Sequence, residues 1–475
     1  MSTLWAMDEM VAVLAARPVG QLPEGISGVS IDTRTIRQGE AFFAIRGDRF
    51  DGHDYLTNAM RAGAGLAVIA EEKLVALGGL RFPLLVVTNT LEALERLGRA
   101  ARKRTKARVA AVTGSVGKTT VKEMLRLALS ACGKTHASLA SHNNHWGVPL
   151  SLANLPADAR YAVFELGMNH PGEIEKLVAM VRPHVAAITV VAPAHIGAFD
   201  SVEDIARAKA EIFSAVEAGG TAIMNADDKQ FELLRELASS SGIRKILTFG
   251  RKPGSDYRQS RLRSSGGNSN LSVSHGNASV SLKLAAAGAH MASNALCTLA
   301  VAHALGADIA KCADALGGFS VGAGRGQRHR LAHKKREFEL IDESYNANPV
   351  SMEAAIGMLA QTPAGPHGRR IAVLGDMLEL GKHSERLHRG LARPLRAKRI
   401  DRVFLVGPEM AALAGTLSKK LLCGHFDEAG KVVTPLLASL KGGDVVMVKA
   451  SNGLKFASLV RALLDACPAA EAAAE

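Results

Sequence analysis

RVAAVTGSVGKTTVKEMLRLALSACG, residues 108–133, joins a short apolar run to a glycine-bearing turn and then to a segment with helical periodicity. In the last part apolar residues recur at i, i+3, i+4 and i+7, and this spacing predicts an amphipathic helix. Gly133 is a stop signal for that helix, and the apolar run before the turn predicts a buried strand. The order strand, loop and helix indicates an α/β protein. The apolar positions are Val121, Met124, Leu125 and Ala128.

The turn in this stretch predicts a site for ATP. Gly114 and Gly117 would let backbone N–H groups surround phosphate oxygens, Lys118 supplies positive charge, and Thr119 offers its hydroxyl to Mg²⁺. The pattern T-G-x-x-G-K-T departs from the common loop because Val112 stands where G-x-x-x-x-G-K-Ser/Thr has glycine. A solvated turn is the alternative, but the flanking strand and helix favour the nucleotide. The assigned loop residues are Thr113, Gly114, Ser115, Val116, Gly117, Lys118, Thr119 and Thr120.

Length and composition bound the architecture. At 475 residues, with about 150 residues per domain as a prior, the chain predicts three domains. A hydrophobic fraction of 47% with few aromatics is typical of a globular α/β protein. Uninterrupted apolar runs fall short of the roughly 18 residues that a membrane span needs, so we predict no span. The N-terminus, MSTLWAMDEM, lacks the order of a signal peptide.

Five scattered cysteines, without a C-x-x-C pair, indicate neither a disulfide framework nor a zinc site. Reduced thiols fit a cytoplasmic protein. The cysteines are Cys132, Cys297, Cys312, Cys423 and Cys467.

The net charge of +13 raises the question of nucleic-acid binding. The basic clusters at 101–108 and from His333 match no nucleic-acid module. A solvated basic face, or attraction for anionic phosphate substrates, is the better interpretation. We therefore predict no nucleic-acid partner.

The chain divides into three predicted domains. Residues 1–87 indicate a small α/β domain, in which polar residues follow a strand-like run, at a position where loops commonly hold ligands. Turn and capping chemistry explains the same residues equally well. Residues 88–318 continue the ATP domain, and in residues 319–475 apolar strands alternate with helices, which indicates a doubly wound, Rossmann-like sheet. The candidate ligand residues of the first domain are Ser30, Asp32 and Arg34.

Two strand ends in the central domain carry candidate metal ligands. Glu165 closes the run YAVFE, and His195 follows the run VAAITVVAPA. In open α/β sheets ligands bind at the carboxyl ends of strands. Taken singly, Glu165 would be interpreted as a helix cap or ion-pair residue and His195 as a core residue. Their shared placement beside a nucleotide loop instead favours a site for a second Mg²⁺.

Further polar groups lie in the remaining segments. Residues 251–281, rich in Ser, Gly and Asn, predict a β-hairpin without evident chemistry. The following helix places His290 and Asn294 on one face, since they are four residues apart. In the third domain no G-x-G-x-x-G follows the first strand, so we predict no dinucleotide site. Four polar residues of the third domain could close onto the nucleotide, or equally could cap their own loops. They are Arg325, Asp342, Lys449 and Ser451.

Several motifs in fixed order resemble the Mur ligases of peptidoglycan synthesis. They are TGSVGKTT, SHNNHWGVPL, FELGMNHPGEI, AHIGAF, RAKAEIF, IMNADD, GAHMASNAL, IDESYNANPVSM and LGDMLELG. The resemblance runs from about Gly28 to Ala462. It implies a three-domain, cytoplasmic, ATP- and Mg²⁺-dependent amide ligase. YNANP is its most specific motif and implies the member that joins D-Ala-D-Ala to a UDP-muramoyl tripeptide through an acyl phosphate.

The resemblance also implies roles for the catalytic and metal residues. Lys118 and Thr119 would hold the ATP phosphates and a first Mg²⁺, and Glu165 and His195 a second. Lys209 would be the lysine that such ligases carbamylate, and an unmodified ammonium beside two Mg²⁺ ions would be repelled. Lys118, Lys209 and His195 are thus the expected catalytic residues, and Thr119, Glu165, His195 and Lys209 the expected metal ligands.

Substrate contacts are implied in the same way. Three positions match nucleotide contacts across the domain cleft, two match the segment that meets the muramoyl substrate, and three match the region that receives UDP. Ser141 and His142 depart from the family pattern, which would more often have Asn and an apolar or aromatic residue. The positions that match nucleotide contacts are Asn294, Arg325 and Asp342. Those that match the segment that meets the muramoyl substrate are Asn143 and Asn144, and those that match the region that receives UDP are Ser30, Asp32 and Arg34.

Two alternatives remain open from the sequence. One is another amide ligase of the same architecture, adding an amino acid to the muramoyl chain or glutamate to folate. The other is a nucleotide-regulated binding protein, for which the positive charge is the only support. We predict a monomer.

Overall fold

The computed structural model describes most of the chain. Across the described residues the strands form three large sheets and one short two-stranded pair. The search of those residues for a helix long and apolar enough to cross a bilayer found none. The described ranges are 3–47, 50–78, 81–139, 141–194, 196–265, 268–286, 288–334 and 336–470.

The first sheet has the order β2-β7-β6-β5-β4, in which β2 is antiparallel to β7 and the other pairs are parallel. The helix that follows the last strand of this sheet, Thr90–Arg104, is capped by Asn89, whose side chain accepts hydrogen bonds from the N–H groups of Leu91 and Glu92. The strands are β1 Trp5–Ala6, β2 Arg17–Val19, β3 Gly25–Ile26, β4 Val29–Ser30, β5 Ala41–Phe43, β6 Leu66–Ala70 and β7 Leu84–Val87, and the helices are α1 Met7–Leu14, α2 Leu56–Arg61 and α3 Thr90–Arg104.

The central sheet has the order β16-β15-β14-β13-β12-β11-β8-β10-β9. The strands are β8 Arg108–Thr113, β9 Thr135–Ala137, β10 Tyr161–Glu165, β11 Val185–Ile188, β12 Thr221–Asn225, β13 Lys245–Gly250, β14 Tyr257–Ser265, β15 Asn268–His275 and β16 Ala278–Leu284. The helices are α4 Lys118–Ser130, α5 Gly147–Ala153, α6 Glu173–Val181, α7 Val202–Ala210, α8 Phe231–Ser240, α9 Ala289–Ala304 and α10 Ile309–Leu316.

Strand β8 lies between β11 and β10 and is parallel to both. The predicted phosphate loop leaves the carboxyl end of β8, and β10 ends at Glu165. The predicted strand, loop and helix at 108–133 are confirmed, and the four periodic residues of α4 are fully buried. The sheet therefore brings the loop and Glu165 to one edge.

The hairpin predicted at 251–281 is present as the antiparallel pair β14 and β15, and a third antiparallel strand, β16, which was not predicted, continues the unit. The third strand continues to Leu284, and its alternate residues Leu282 and Leu284 are buried with Leu271 and Val273 of β15. Alternation that runs past residue 281 was the signal for this strand.

The third sheet has the order β17-β18-β22-β19-β20-β21, with β17 antiparallel and the other pairs parallel. The strands are β17 Gln327–His333, β18 Arg336–Glu343, β19 Arg370–Gly375, β20 Arg402–Val406, β21 Leu422–Phe426 and β22 Val445–Lys449. The helices are α11 Pro349–Gln361, α12 Ser384–Gly390, α13 Ala392–Ala397, α14 Ala411–Ala414, α15 Val433–Ser439 and α16 Phe456–Ala466.

The two edge strands of this sheet, β17 and β21, were not predicted from the sequence. The segment that contains Arg325 runs directly into β17, in which Leu331 is the single buried residue. An edge strand with so few apolar positions gives no alternation to detect. We keep the division 1–87, 88–318 and 319–475 as a proposal, because each large sheet falls within one of these segments.

Candidate active site

The loop between β8 and α4 is shaped by two close approaches at glycine. Gly117 has φ +89°, and a Cβ there would lie 2.5 Å from Oδ1 of Asn294 on α9. A Cβ on Gly114 would lie 1.9 Å from Oγ1 of Thr189. Larger residues at either position would push the loop from its supports. Asn294, for which the resemblance implies a nucleotide contact, thus lies against the predicted phosphate loop.

Thr189, just after β11, supports the loop and was missed in the sequence. Its hydroxyl donates to the carbonyl of Val116 at 2.5 Å, and the Ser115 N–H donates to the carbonyl of Val190. The Ser115 hydroxyl donates to Ala192 in the same segment. A lone Thr after a strand carries no local motif, so only the sheet order β11-β8 shows its role.

We expect Thr189→Val to raise the KM for ATP about five- to tenfold, with a smaller effect on kcat, since loss of one hydrogen bond costs about 1 kcal/mol. Steady-state kinetics with varied ATP will measure this. Thr189→Ser, which keeps the hydroxyl, is the matched control. Equal KM values for the Val and Ser variants would contradict the role.

Glu165 lies against the first turn of the helix that follows the loop. It is 1% exposed, and its Oε1 accepts hydrogen bonds from Oγ1 of Thr119 at 3.0 Å and from Nδ2 of Asn143 at 2.8 Å. Its Oε2 is buried without a hydrogen-bond partner. An unpaired buried carboxylate oxygen is costly unless a cation joins it. Carboxylate and hydroxyl oxygens are hard ligands, so this pair fits Mg²⁺.

Two lysines of this site lie close enough for their charges to interact, the partly buried Lys118 and the buried Lys209. Nζ of Lys118 donates to the carbonyl of Gly114 at 2.6 Å. Burial lowers the pKa of Lys118, and the charge of Glu165 opposes this shift. Lys209 is 2% exposed, and burial together with the charge of Lys118 lowers its pKa well below the usual value. The site therefore disfavours a second ammonium group at Lys209.

The structure describes three of the four predicted metal ligands. His195 lies outside the described residues. Within the ranges described, no group of three or more His, Cys, Asp and Glu side chains is arranged to hold a metal ion. The metal assignment of Thr119, Glu165, His195 and Lys209 stays a prediction.

Glu211, two residues after Lys209, was also missed. Its carboxylate accepts from the N–H groups of Gly172 at 2.7 Å and Glu175 at 3.2 Å, at the N-terminus of α6. A carboxylate at a helix N-terminus is stabilised by the helix dipole. This contact ties the end of the helix that bears Lys209 to the helix that follows Glu165.

A cleft of about 480 Å³ runs between the loop and the third sheet. On its far side Arg325 stacks over Tyr345, with 3.7 Å from Cζ to the ring centroid, and reaches Oγ of Ser141 at 3.4 Å. Ser141 also lies 3.4 Å from the Thr119 hydroxyl. The predicted residues that line the cleft are Ser115, Val116, Gly117, Lys118, Thr119, Thr120, Asn143, Asn144, Glu165, Asn294, Arg325 and Lys449.

Three residues of the third domain, Lys449 among them, form contacts that hold its loops. The Asp342 carboxylate accepts from the N–H groups of Gly324 and Ser344, beside Arg325. Lys449 donates to Glu343 and to a backbone carbonyl, and Ser451 bridges two loops. These contacts match the capping alternative, and a nucleotide contact of Asp342 stays a prediction.

The predicted UDP residues lie at the end of β4 and in the turn that follows it, outside the lining of this cleft. Asp32 accepts from the backbone and guanidinium of Arg34, whose side chain is 86% exposed, and Ser30 donates to the carbonyl of Asp32. The hydrogen bond from Arg34 lowers the pKa of Asp32, with a smaller contribution from the charge of His142. The turn thus lies near the segment that bears Asn143.

Comparison with known proteins identifies the family. Family models match three parts of the chain: "Mur ligase family, catalytic domain" at 25–108, "Mur ligase middle domain" at 112–302 and "Mur ligase, glutamate ligase domain" at 324–452. The UDP-N-acetylmuramoyl-tripeptide--D-alanyl-D-alanine ligase of Escherichia coli (strain K12) is 35% identical over 443 residues, 93% of this chain and 94% of the relative. The chain belongs to the Mur ligase family.

Solved structures agree with this Mur ligase in fold. A crystal structure of MurF from Acinetobacter baumannii superposes with a TM-score of 0.83 at 31% identity, covering 97% of this chain and 99% of that one. MurF ligase from Thermotoga maritima in complex with ADP gives 0.76 at 28% identity, with 92% and 97% covered. The predicted family and the predicted α/β fold class are confirmed.

Proposed function

We propose that this Mur ligase joins D-Ala-D-Ala to a UDP-N-acetylmuramoyl tripeptide, with ATP and Mg²⁺, in peptidoglycan precursor synthesis. The observation that carries the proposal is the buried Glu165 carboxylate beside Thr119 and Lys118 at a phosphate loop. The two substrates and the ligase reaction are those in the name of the Escherichia coli relative, which this chain matches over nearly its whole length. The ADP complex of a similar structure supports the nucleotide.

The chemistry must activate a carboxylate. The terminal carboxylate of the tripeptide attacks the γ-phosphorus of ATP, the bond to the β-phosphate oxygen breaks, and an acyl phosphate and ADP form. The amine of D-Ala-D-Ala then attacks the acyl carbon, loses a proton, and inorganic phosphate leaves. Lys118 and the N-terminus of α4 bind the transferred phosphoryl group, and Arg325 lies across the cleft to neutralise its charge.

Thr119 and Glu165, with His195 and a carbamylated Lys209, would hold Mg²⁺. When bound, Mg²⁺ screens the phosphate charges and orients the phosphates for transfer. Closure of the third domain onto the cleft would exclude water.

Carbamylation of Lys209 follows from its surroundings. The low pKa of the Lys209 amine keeps part of it neutral, and only the neutral amine adds CO₂ to give a carbamate and a proton. Carbamate formation should therefore increase with pH. We expect a carbamate resonance in ¹³C NMR of the enzyme in labelled bicarbonate, which is absent from Lys209→Ala.

Lys134→Ala is the matched control, because this lysine is exposed in an ion pair with Asp158 and should leave the resonance unchanged. We expect Lys209→Ala to lose about 10²-fold or more in kcat. An unchanged resonance in Lys209→Ala would reject the assignment.

One assay tests the whole proposal. Phosphate release is measured with ATP, Mg²⁺ and UDP-muramoyl tripeptide throughout, and with D-Ala-D-Ala, D-Ala or no amine added. We expect release that depends on the dipeptide and a pentapeptide product by mass. Equal release with D-Ala would favour a neighbouring ligase, and no dependence on any amine would reject the ligase reaction.

The same proposal covers the remaining assignments. Ser30, Asp32 and Arg34 receive UDP, and Asn143 and Asn144 meet the muramoyl part. Asn294 and Asp342 complete the nucleotide site. We also propose a monomer in the cytoplasm that does not bind nucleic acid.

A further inference from the structure

Two cysteines that the active site does not use lie side by side in the ATP domain. Cys132 is in the turn after α4, and Cys312 is in α10, 180 residues further along the chain. Their sulfur atoms are 3.8 Å apart. Cys132 is partly exposed, whereas Cys312 is buried and also lies 3.5 Å from the carbonyl of Ala128 on α4. The two thiols are thus in direct contact across two packed helices.

A small movement would join them. A disulfide has an S–S distance of about 2.05 Å, so the sulfur atoms need to approach by about 1.8 Å. Cys132 lies in a turn and outside the helix, where side-chain rotation and a small backbone shift are tolerated. Its Sγ lies 3.8 Å from the carbonyl of Asp308, the residue before α10, so it already faces the partner helix.

We propose that Cys132 and Cys312 form a reversible disulfide that joins α4 to α10 when the protein meets a low-molecular-weight disulfide such as oxidised glutathione. The Cys132 thiolate attacks one sulfur of the glutathione disulfide, that S–S bond breaks, and one glutathione thiolate leaves. The Cys312 thiolate then attacks the Cys132 sulfur and displaces the second glutathione. Each cysteine gives one proton to a leaving thiolate, and two electrons pass to the glutathione.

The order of attack follows from exposure. Burial raises the pKa of Cys312 to about 12, whereas Cys132 is accessible to a soluble oxidant. The thiolate is the attacking form, so the exposed cysteine reacts first and the buried one resolves the mixed disulfide.

The cross-link would stabilise the ATP domain without blocking it. It closes a long loop of the chain, which reduces the freedom of the unfolded state. Helix α10 packs on α4, on β16 and on α9, which carries Asn294. The disulfide would lie roughly 20 Å along α4 from Lys118, because each helical residue rises 1.5 Å. We therefore expect that the disulfide leaves the geometry of the phosphate loop and the enzymatic activity unchanged.

The test is mass spectrometry of the whole protein after exposure to oxidised glutathione. We expect the loss of two hydrogen atoms and, after trypsin, a linked pair of peptides 127–134 and 312–325, reversed by dithiothreitol. Cys312→Ser should instead accumulate a glutathione adduct on Cys132. Cys423→Ser is the matched control, because it removes an exposed cysteine elsewhere and should still form the link.

Thermal unfolding gives the second measurement. The oxidised wild type should melt at least about 4 °C above its reduced form, while Cys312→Ser shows no such increase. ATP-dependent phosphate release of the oxidised protein should stay within about twofold of the reduced protein. A stable glutathione adduct on wild-type Cys132, a link to another cysteine, or an unchanged melting temperature would overturn the proposal.

Discussion

Lys118→Ala is expected to lower kcat for ligation about 10³-fold. Nζ of Lys118 donates to the Gly114 carbonyl and lies at the first turn of α4, where the transferred phosphoryl group would bind. Its charge lies in a partly buried site, where an electrostatic interaction is stronger than in bulk water. Phosphate release and pentapeptide formation, both at saturating ATP, measure the loss.

Lys134→Ala serves as the control for this prediction, because it removes a lysine of the same domain from an exposed ion pair. That variant should keep near-wild-type kcat, since exposed ion pairs contribute little. Matching melting curves for both variants would exclude misfolding as the cause. Turnover of Lys118→Ala near the wild-type rate would reject the nucleotide assignment.

Glu165→Gln is expected to lower kcat about 10²- to 10³-fold and to raise the Mg²⁺ concentration needed for half activity. The amide has the same shape and can still accept from Thr119 and Asn143, but it lacks the negative charge that would bind a cation. The buried Oε2 position would carry an NH₂ group, which repels Mg²⁺. Initial rates across a Mg²⁺ titration measure both effects.

Glu232→Gln on α8 is the matched control, because Glu232 is exposed and pairs with Arg235. Its Mg²⁺ dependence should equal that of the wild type. If Glu165→Gln lost activity while its Mg²⁺ dependence stayed unchanged, Glu165 would not be a metal ligand.

Much of the fold was predictable because its signals are local. The strand, loop and helix at 108–133 carry their own periodicity and glycines, and the parallel strands of the third domain are continuous apolar runs. The edge strand β17 and the third strand of the β14 to β16 unit were missed or misjudged. Strand β17 has a single buried residue, and the alternation of β16 continues past residue 281, where the predicted hairpin segment ends.

The site residues were predictable only where the type of a residue indicates its chemical role. Glu165 and Lys118 follow from motif and resemblance, and the structure places them near each other. Thr189 and Glu211 act by hydrogen bonds to backbone groups of distant segments, so no local pattern reveals them. Asp342 has its carboxylate in loop contacts, which residue type alone does not distinguish from ligand contacts.

The hydrogen bond from Asn143 to Glu165 has a consequence for the order of events in the enzyme. One side chain would touch both the carboxylate for the cation and the muramoyl substrate, so occupancy of one site changes the free energy of the other. Such coupling is reciprocal by thermodynamic linkage. The cation should therefore alter the affinity for the tripeptide substrate by the same factor by which that substrate alters the affinity for the cation.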